Sequence, residues 1–183
     1  MHQLYPLITN LNKFDDFLET LVVSKTPAKF TYAYLNSLGY SSSKDREFVK
    51  VLIMLGFLGS TGIPTDLYLS IKNKDKFPRV LAVRLSILYK EIFKLNAAAN
   101  TLPDYELTPL FSSLTGYGQQ RSLRYALTFK HLVAHADFGV EVTPVLKNET
   151  NVLRPININL TLNVTSPAEL EGFINTLREH HIF

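Results

Sequence analysis

His131 and His135 stand four residues apart on a stretch that reads as a helix, and Asp137 follows closely. Two histidines at i and i+4 share a helix face and can hold a metal ion. The zinc-protease pattern needs a glutamate directly after the first histidine, and that position holds Leu132. A third ligand would have to come from far along the chain. The reading is therefore one surface histidine and one interface histidine, with no metal site. His180 and His181 read as a solvated helix end, where positive charge suits the helix dipole. No serine sits in a Gly-x-Ser-x-Gly elbow. Gly59-Ser60-Thr61-Gly62 lacks the lysine and spacing of a phosphate loop and reads as a turn. Asp15 and Asp16 fall on the exposed side of an amphipathic helix. The absence of cysteine excludes disulfides, thiolate zinc sites and thiol nucleophiles. No catalytic residue, metal or cofactor is expected, and an enzyme is not the reading.

Nucleic-acid chemistry has more support. Gln120, Arg121, Arg124, Thr128 and His131 follow helical spacing and form one polar, basic stripe. Arginine and glutamine are the side chains that read guanine and adenine edges with two hydrogen bonds. On an earlier helix the outward residues are Ser43, Lys44, Glu47 and Lys50, where Glu47 weakens attraction for phosphate. Lys72, Lys74, Lys76 and Arg79 form a basic run that could meet phosphates. The competing reading is that these faces are simply solvated, or that they dock a protein partner.

Composition fits either reading. Of 183 residues, 46% are hydrophobic, enough for a core, and 19% are charged, too few for a disordered chain. A net charge of +3 permits nucleic-acid binding without demanding it. No run approaches the roughly 20 apolar residues that span a bilayer. The first residues show no basic stretch followed by an apolar one, so a cytoplasmic protein is expected.

The elements that must position these residues repeat. Tyr34-Leu35-Asn36-Ser37-Leu38-Gly39-Tyr40 is followed by a serine turn and a helix from Lys44 to Leu55. Leu110-Phe111-Ser112-Ser113-Leu114-Thr115-Gly116-Tyr117 is followed by a polar turn and a helix from Arg121 to His135. Each copy reads helix, glycine turn, helix. Phe48, Leu52 and Leu55 in the first copy answer to Tyr125, Phe129 and Leu132 in the second. The spacing also predicts a helix over 13–23 capped by Asn12, one over 29–38, and one long helix over 79–95. Residues 57–64 read as a strand-turn-strand, the wing of a winged helix, with Thr65 capping a short helix after it. The expected class is mainly α: tandem helix-turn-helix, winged-helix-like lobes with a C-terminal strand and helix. The lobes are expected at 1–77 and 78–139, a linker or arm at 140–155, and the strand-helix element at 156–183.

Several short motifs resemble a family of prokaryotic proteins defined only as a domain of unknown function. They are Lys29-Phe30-Thr31-Tyr32, Ser37-Leu38-Gly39-Tyr40, Asp45-Arg46, Leu55-Gly56-Phe57-Leu58, Gly62-Ile63-Pro64-Thr65 and Ser113-Leu114-Thr115-Gly116. Ile156-Asn157-Ile158-Asn159-Leu160 is similar to the strand that follows the domain in relatives. The resemblance implies a helical, winged-helix-like fold in bacteria or archaea, in contexts that include mobile and defence systems. It implies no catalytic residue. The functional expectation is a dimeric DNA-binding regulator or defence-associated factor. The alternative is a non-catalytic assembly module of a multi-protein system.

The dimer expectation rests on the C-terminal pattern. Ile156, Ile158, Leu160, Leu162 and Val164 alternate with polar residues, a half-buried strand. A helix carrying Phe173 follows. Such a strand exposes a row of backbone donors and acceptors; a second copy across a two-fold axis is the expected partner, and pairing within the chain, with residues 140–146 or with the wing, is the alternative. Light scattering should find a dimer for the full chain and a monomer for a chain ending at Leu153. A monomer in both cases sinks the idea.

Overall fold

A computed structural model describes residues 5–139. The expectations for the linker and for Ile156, Ile158, Leu160, Leu162, Val164 and Phe173 lie outside the described residues. In chain order the helices are α1 (Leu11–Val23), α2 (Tyr32–Ser37), α3 (Arg46–Met54), α4 (Phe77–Leu88), α5 (Lys90–Leu95), α6 (Asp104–Thr115) and α7 (Gln119–Ala134). Two 3₁₀ segments, Asp66–Lys72 and Ala99–Thr101, fill the connections. The fold is mainly helical, and no strand forms among the described residues. The expected wing is a tight turn closed by one antiparallel bridge, Leu58 to Pro64. Gly62 is required there: its φ is +83°, and a Cβ would sit 2.8 Å from the Phe30 carbonyl oxygen.

Local signals explain most of the helix ends. Asn10, not the expected Asn12, caps α1, and its side chain accepts from the Lys13 amide at 3.0 Å. Helix α2 starts later than expected because the Phe30 amide donates to the Gly62 carbonyl at 2.7 Å. Thr31 then caps the helix through the Tyr34 amide. Ser42 and Asp45 exchange backbone and side-chain hydrogen bonds ahead of α3, a capping box with Asp in place of Glu. The expected long helix over 79–95 is broken at Tyr89 (φ −103°, ψ 23°). The buried Tyr89 ring stacks on Tyr5 at 5.0 Å and lies 4.7 Å from Phe129. This clamping fixes the side chain where the backbone leaves helical geometry. Burial holds the Tyr89 phenol well above its ordinary range, so it stays neutral.

The repeat is real on the inside. Gly39 (φ 92°) and Gly116 (φ 69°) both take the left-handed conformation that ends the first helix of each copy. Phe48, Leu52, Leu55, Tyr125, Phe129 and Leu132 are all buried. The copies differ in size, with 6 residues in α2 and 12 in α6. Both belong to one hydrophobic core, so residues 5–77 and 78–139 share an interior.

Helix α1 buries Phe14, Phe17, Leu18 and Leu21 and anchors its flank by charge. The Lys13 amine donates to both Asp45 oxygens at 2.8 Å, and Asp45 is 1% exposed. Burial alone would raise the Asp45 pKa. The bonds from Lys13 and Ser42 outweigh it and hold the carboxyl below its ordinary value. A carboxyl so lowered stabilises the fold above the ordinary aspartate range and loses that contribution as pH falls through the folded value. Asp45→Ala should cost about 2–3 kcal/mol at neutral pH through the lost cap and the stranded amine. The gap to the unaltered chain should close in acid, measured by urea unfolding at a series of pH values.

Candidate functional site

Helix α7 starts at Gln119 after Gly118, which offers no side-chain cap. Its first two turns leave Gln120, Arg121 and Arg124 exposed. The Arg121 guanidinium lies 3.8 Å from the Tyr117 ring centroid, and a terminal nitrogen donates to the Tyr125 hydroxyl at 3.5 Å. Stacking of this kind holds a planar cation in one orientation while leaving its charge at the surface.

Arg124 lines an open groove of about 440 Å³ with Lys44, Leu127 and the Leu7–Thr9 strip. One cation thus comes from each copy of the repeat. Glu47 lies close by, but both its oxygens are engaged by Thr9, accepting from the amide at 3.0 Å and from the hydroxyl at 3.1 Å. Lys50 is exposed on α3.

Three residues of the expected surface are occupied inside the protein. Thr128 is 0% exposed, and its hydroxyl accepts from the Ile8 amide at 3.1 Å. The strip before α1 crosses α7 there and removes Thr128 from the stripe. Lys72 donates to the carbonyls of Leu21 and Ser24 at the end of α1. It satisfies orphan carbonyls and opposes the negative end of the helix, so it is not a free phosphate contact. His131 faces Asp15 rather than a ligand. Lys74 is exposed but lines a different cavity, of about 220 Å³, together with Asp15, Glu19 and His135.

The second locus joins the His131–His135 pair to Asp15. The Nε2 atoms of His131 and His135 lie 2.7 and 2.8 Å from the same oxygen, Oδ1 of Asp15. The imidazoles are 5.2 Å apart at 71°. The side chains are 18%, 35% and 35% exposed for His131, His135 and Asp15. Asp15 is therefore half-buried rather than on the solvent side of α1. For both neutral rings to donate to one oxygen, each must carry its proton on Nε2. The spacing of the histidines was legible, but Asp15 lies 116 residues from His131 and carries no local sign of the pairing.

These features define a helical domain with a single aromatic core, a basic groove at the seam of an internal repeat, and a carboxylate shared by two imidazoles. No helix among the described residues is long and apolar enough to cross a membrane. The chain belongs to the DUF5343 family, a family of unknown function, whose model matches residues 6–143. No curated protein and no solved structure matches it.

The division between surface and interior can be measured. Thr128→Val keeps the shape but leaves the Ile8 amide unpaired, and should cost about 1–3 kcal/mol. Arg124→Ala should stay within about 0.5 kcal/mol of the unaltered chain. Equal losses in urea unfolding would contradict the assignment.

Proposed function

We propose that the chain is a non-catalytic DNA-binding protein that holds duplex phosphates with Lys44 and Arg124 and presents Gln120 and Arg121 to base edges. The observation that carries this reading is the shared groove, lined by one cation from each copy of the repeat. Among the described residues neither Lys44 nor Arg124 forms an ion pair, so both charges are available to phosphate. Lys50 extends the basic surface along α3. Early residues of a helix that follows a tight turn are the usual readers of a major groove. Pairing through the alternating strand pattern of residues 156–164 would double the surface and suit a two-fold operator. Such a protein fits a dimeric prokaryotic regulator or a defence-associated factor.

A second reading is favoured by one observation of its own. Tyr105 is 74% exposed beside a groove of about 390 Å³ between α6 and α7, and Leu123 shares that groove. An aromatic and an aliphatic group left at the surface suit a protein partner better than a phosphate backbone.

Fluorescence anisotropy of the full chain on a labelled random duplex separates the two readings. DNA binding requires affinity that falls steeply with salt. Lys44→Ala with Arg124→Ala should lower the salt slope by about 2, one per lost phosphate contact. Tyr105→Ala should leave the DNA affinity unchanged. Absence of binding at low salt rejects the proposal.

A further inference from the structure

We propose that Asp15, His131 and His135 form a binding site for one divalent transition-metal ion of the zinc class. Their three ligand atoms all lie within 4.8 Å of one another. Two imidazole nitrogens and a carboxylate oxygen suit zinc, cobalt, nickel or iron, whereas calcium and magnesium favour sets built from oxygen. Three protein ligands with a fourth position open is the arrangement of reactive rather than structural zinc sites.

The distances leave room for an ion with little movement. In a tetrahedral site with bonds of about 2.0–2.1 Å, neighbouring ligand atoms stand about 3.3 Å apart. The two Nε2 atoms lie 2.7 and 2.8 Å from Oδ1. Opening the two Nε2–Oδ1 distances by about half an ångström brings them to that spacing, and the two Nε2 atoms lie within 4.8 Å of each other, so small side-chain adjustments place all three ligands around an ion. The neutral imidazoles need lose no proton overall. Each moves its proton from Nε2 to Nδ1, and the freed Nε2 lone pair turns from Asp15 to the ion.

The backbone presents the ligands in advance. His131 and His135 are one helical turn apart on α7, whose register is locked by the buried Phe129 and Leu132. Asp15 follows the buried Phe14 on α1. The open side is the cavity of about 220 Å³ that Asp15 and His135 line. It admits water or a fourth ligand, and Glu19, one turn beyond Asp15 on α1, lines it too. The carboxylates of Asp15 and Glu19 outnumber Lys74 among the charged side chains of that cavity, so its field favours a cation. The proposal does not depend on DNA binding.

The test is a titration of the chelator-treated full chain with Co²⁺, followed by its visible absorption, and then displacement by Zn²⁺. Saturation at one equivalent is expected. Asp15→Asn and His135→Ala should each weaken binding by more than the roughly 10–100-fold that loss of an outer-shell partner costs. His180→Ala with His181→Ala should leave it unchanged. Should a variant fail to fold, histidine ring signals in the NMR spectrum of the unaltered chain decide. Zn²⁺ must shift those of His131 and His135 together. No saturable binding, binding untouched by the Asp15 and His135 changes, or shifts confined to His2, His180 and His181 would overturn the proposal.

Discussion

Helix α1 is held from two sides, and the rest of the domain is arranged around that clamp. Successive residues of an α-helix are about 100° apart, so Lys13 and Asp15 point in nearly opposite directions with Phe14 between them. Lys13 reaches the buried Asp45 ahead of α3. Asp15 reaches His131 and His135 on α7. Phe14 enters the core. Three consecutive residues thus tie α1 to the second helix of each repeat copy. The two ties are unequal. Asp45 is removed from water and depends wholly on its partners, so breaking that pair strands a charge. The Asp15 cluster is half-exposed, keeps water as an alternative, and is free to rearrange around a ligand.

The repeat is shared where it meets the core and lost where it meets solvent. That asymmetry follows from what each surface demands. Close packing constrains Phe48, Leu52 and Leu55 as it does Tyr125, Phe129 and Leu132, because a volume change on either side leaves a cavity or a clash. Outward residues carry no such constraint. Charge counting therefore overstates what a ligand meets. Lys13, Lys72, Arg84 and Lys130 all have internal partners: a buried carboxylate, the end of α1, the Leu55 carbonyl at the end of α3, and Asp104. The available positive surface is narrower than a net charge of +3 suggests. Part of it lies at the seam of the two copies and on the first turns of α7, as Lys44, Arg121 and Arg124.

Features set by near neighbours were legible in the sequence. The buried face of α1 follows from the spacing of Phe14, Phe17, Leu18 and Leu21, and the left-handed glycines at 39 and 116 from the helix-glycine-helix pattern. Features set by distant contacts were not. Thr128 sits on a polar stripe by spacing alone, and only the crossing of Ile8 buries it. At the break, the Tyr89 ring packs against rings from both Tyr5 and Phe129, contacts that local spacing does not announce. The wing failed for a local reason with a distant component. The turn at 59–62 is as tight as expected, but the Gly62 carbonyl is used by Phe30 and only one bridge forms. The candidate site divides in the same way. Gln120, Arg121, Arg124 and Lys44 are exposed as their spacing implies, whereas Asp15 could be joined to the histidine pair only through the folded chain.

The split of α7 into an open half and a covered half has one cause. Arg121, Arg124, Thr128 and His131 lie along one side of the helix, and a free helix would present all four. The strip from Ile8 to Asp15 runs over the last two: Ile8 takes the Thr128 hydroxyl, and Asp15 takes His131. Thr9, in the same strip, holds both oxygens of Glu47 and so keeps that carboxylate engaged beside the Lys44–Arg124 groove. Covering the C-terminal half of the stripe and occupying the acid beside the groove are thus consequences of one short segment. The N-terminal strip determines which part of α7 a ligand can reach. Arg121 and Arg124 stay exposed, and the strip borders the groove that Arg124 lines instead of taking its side chain.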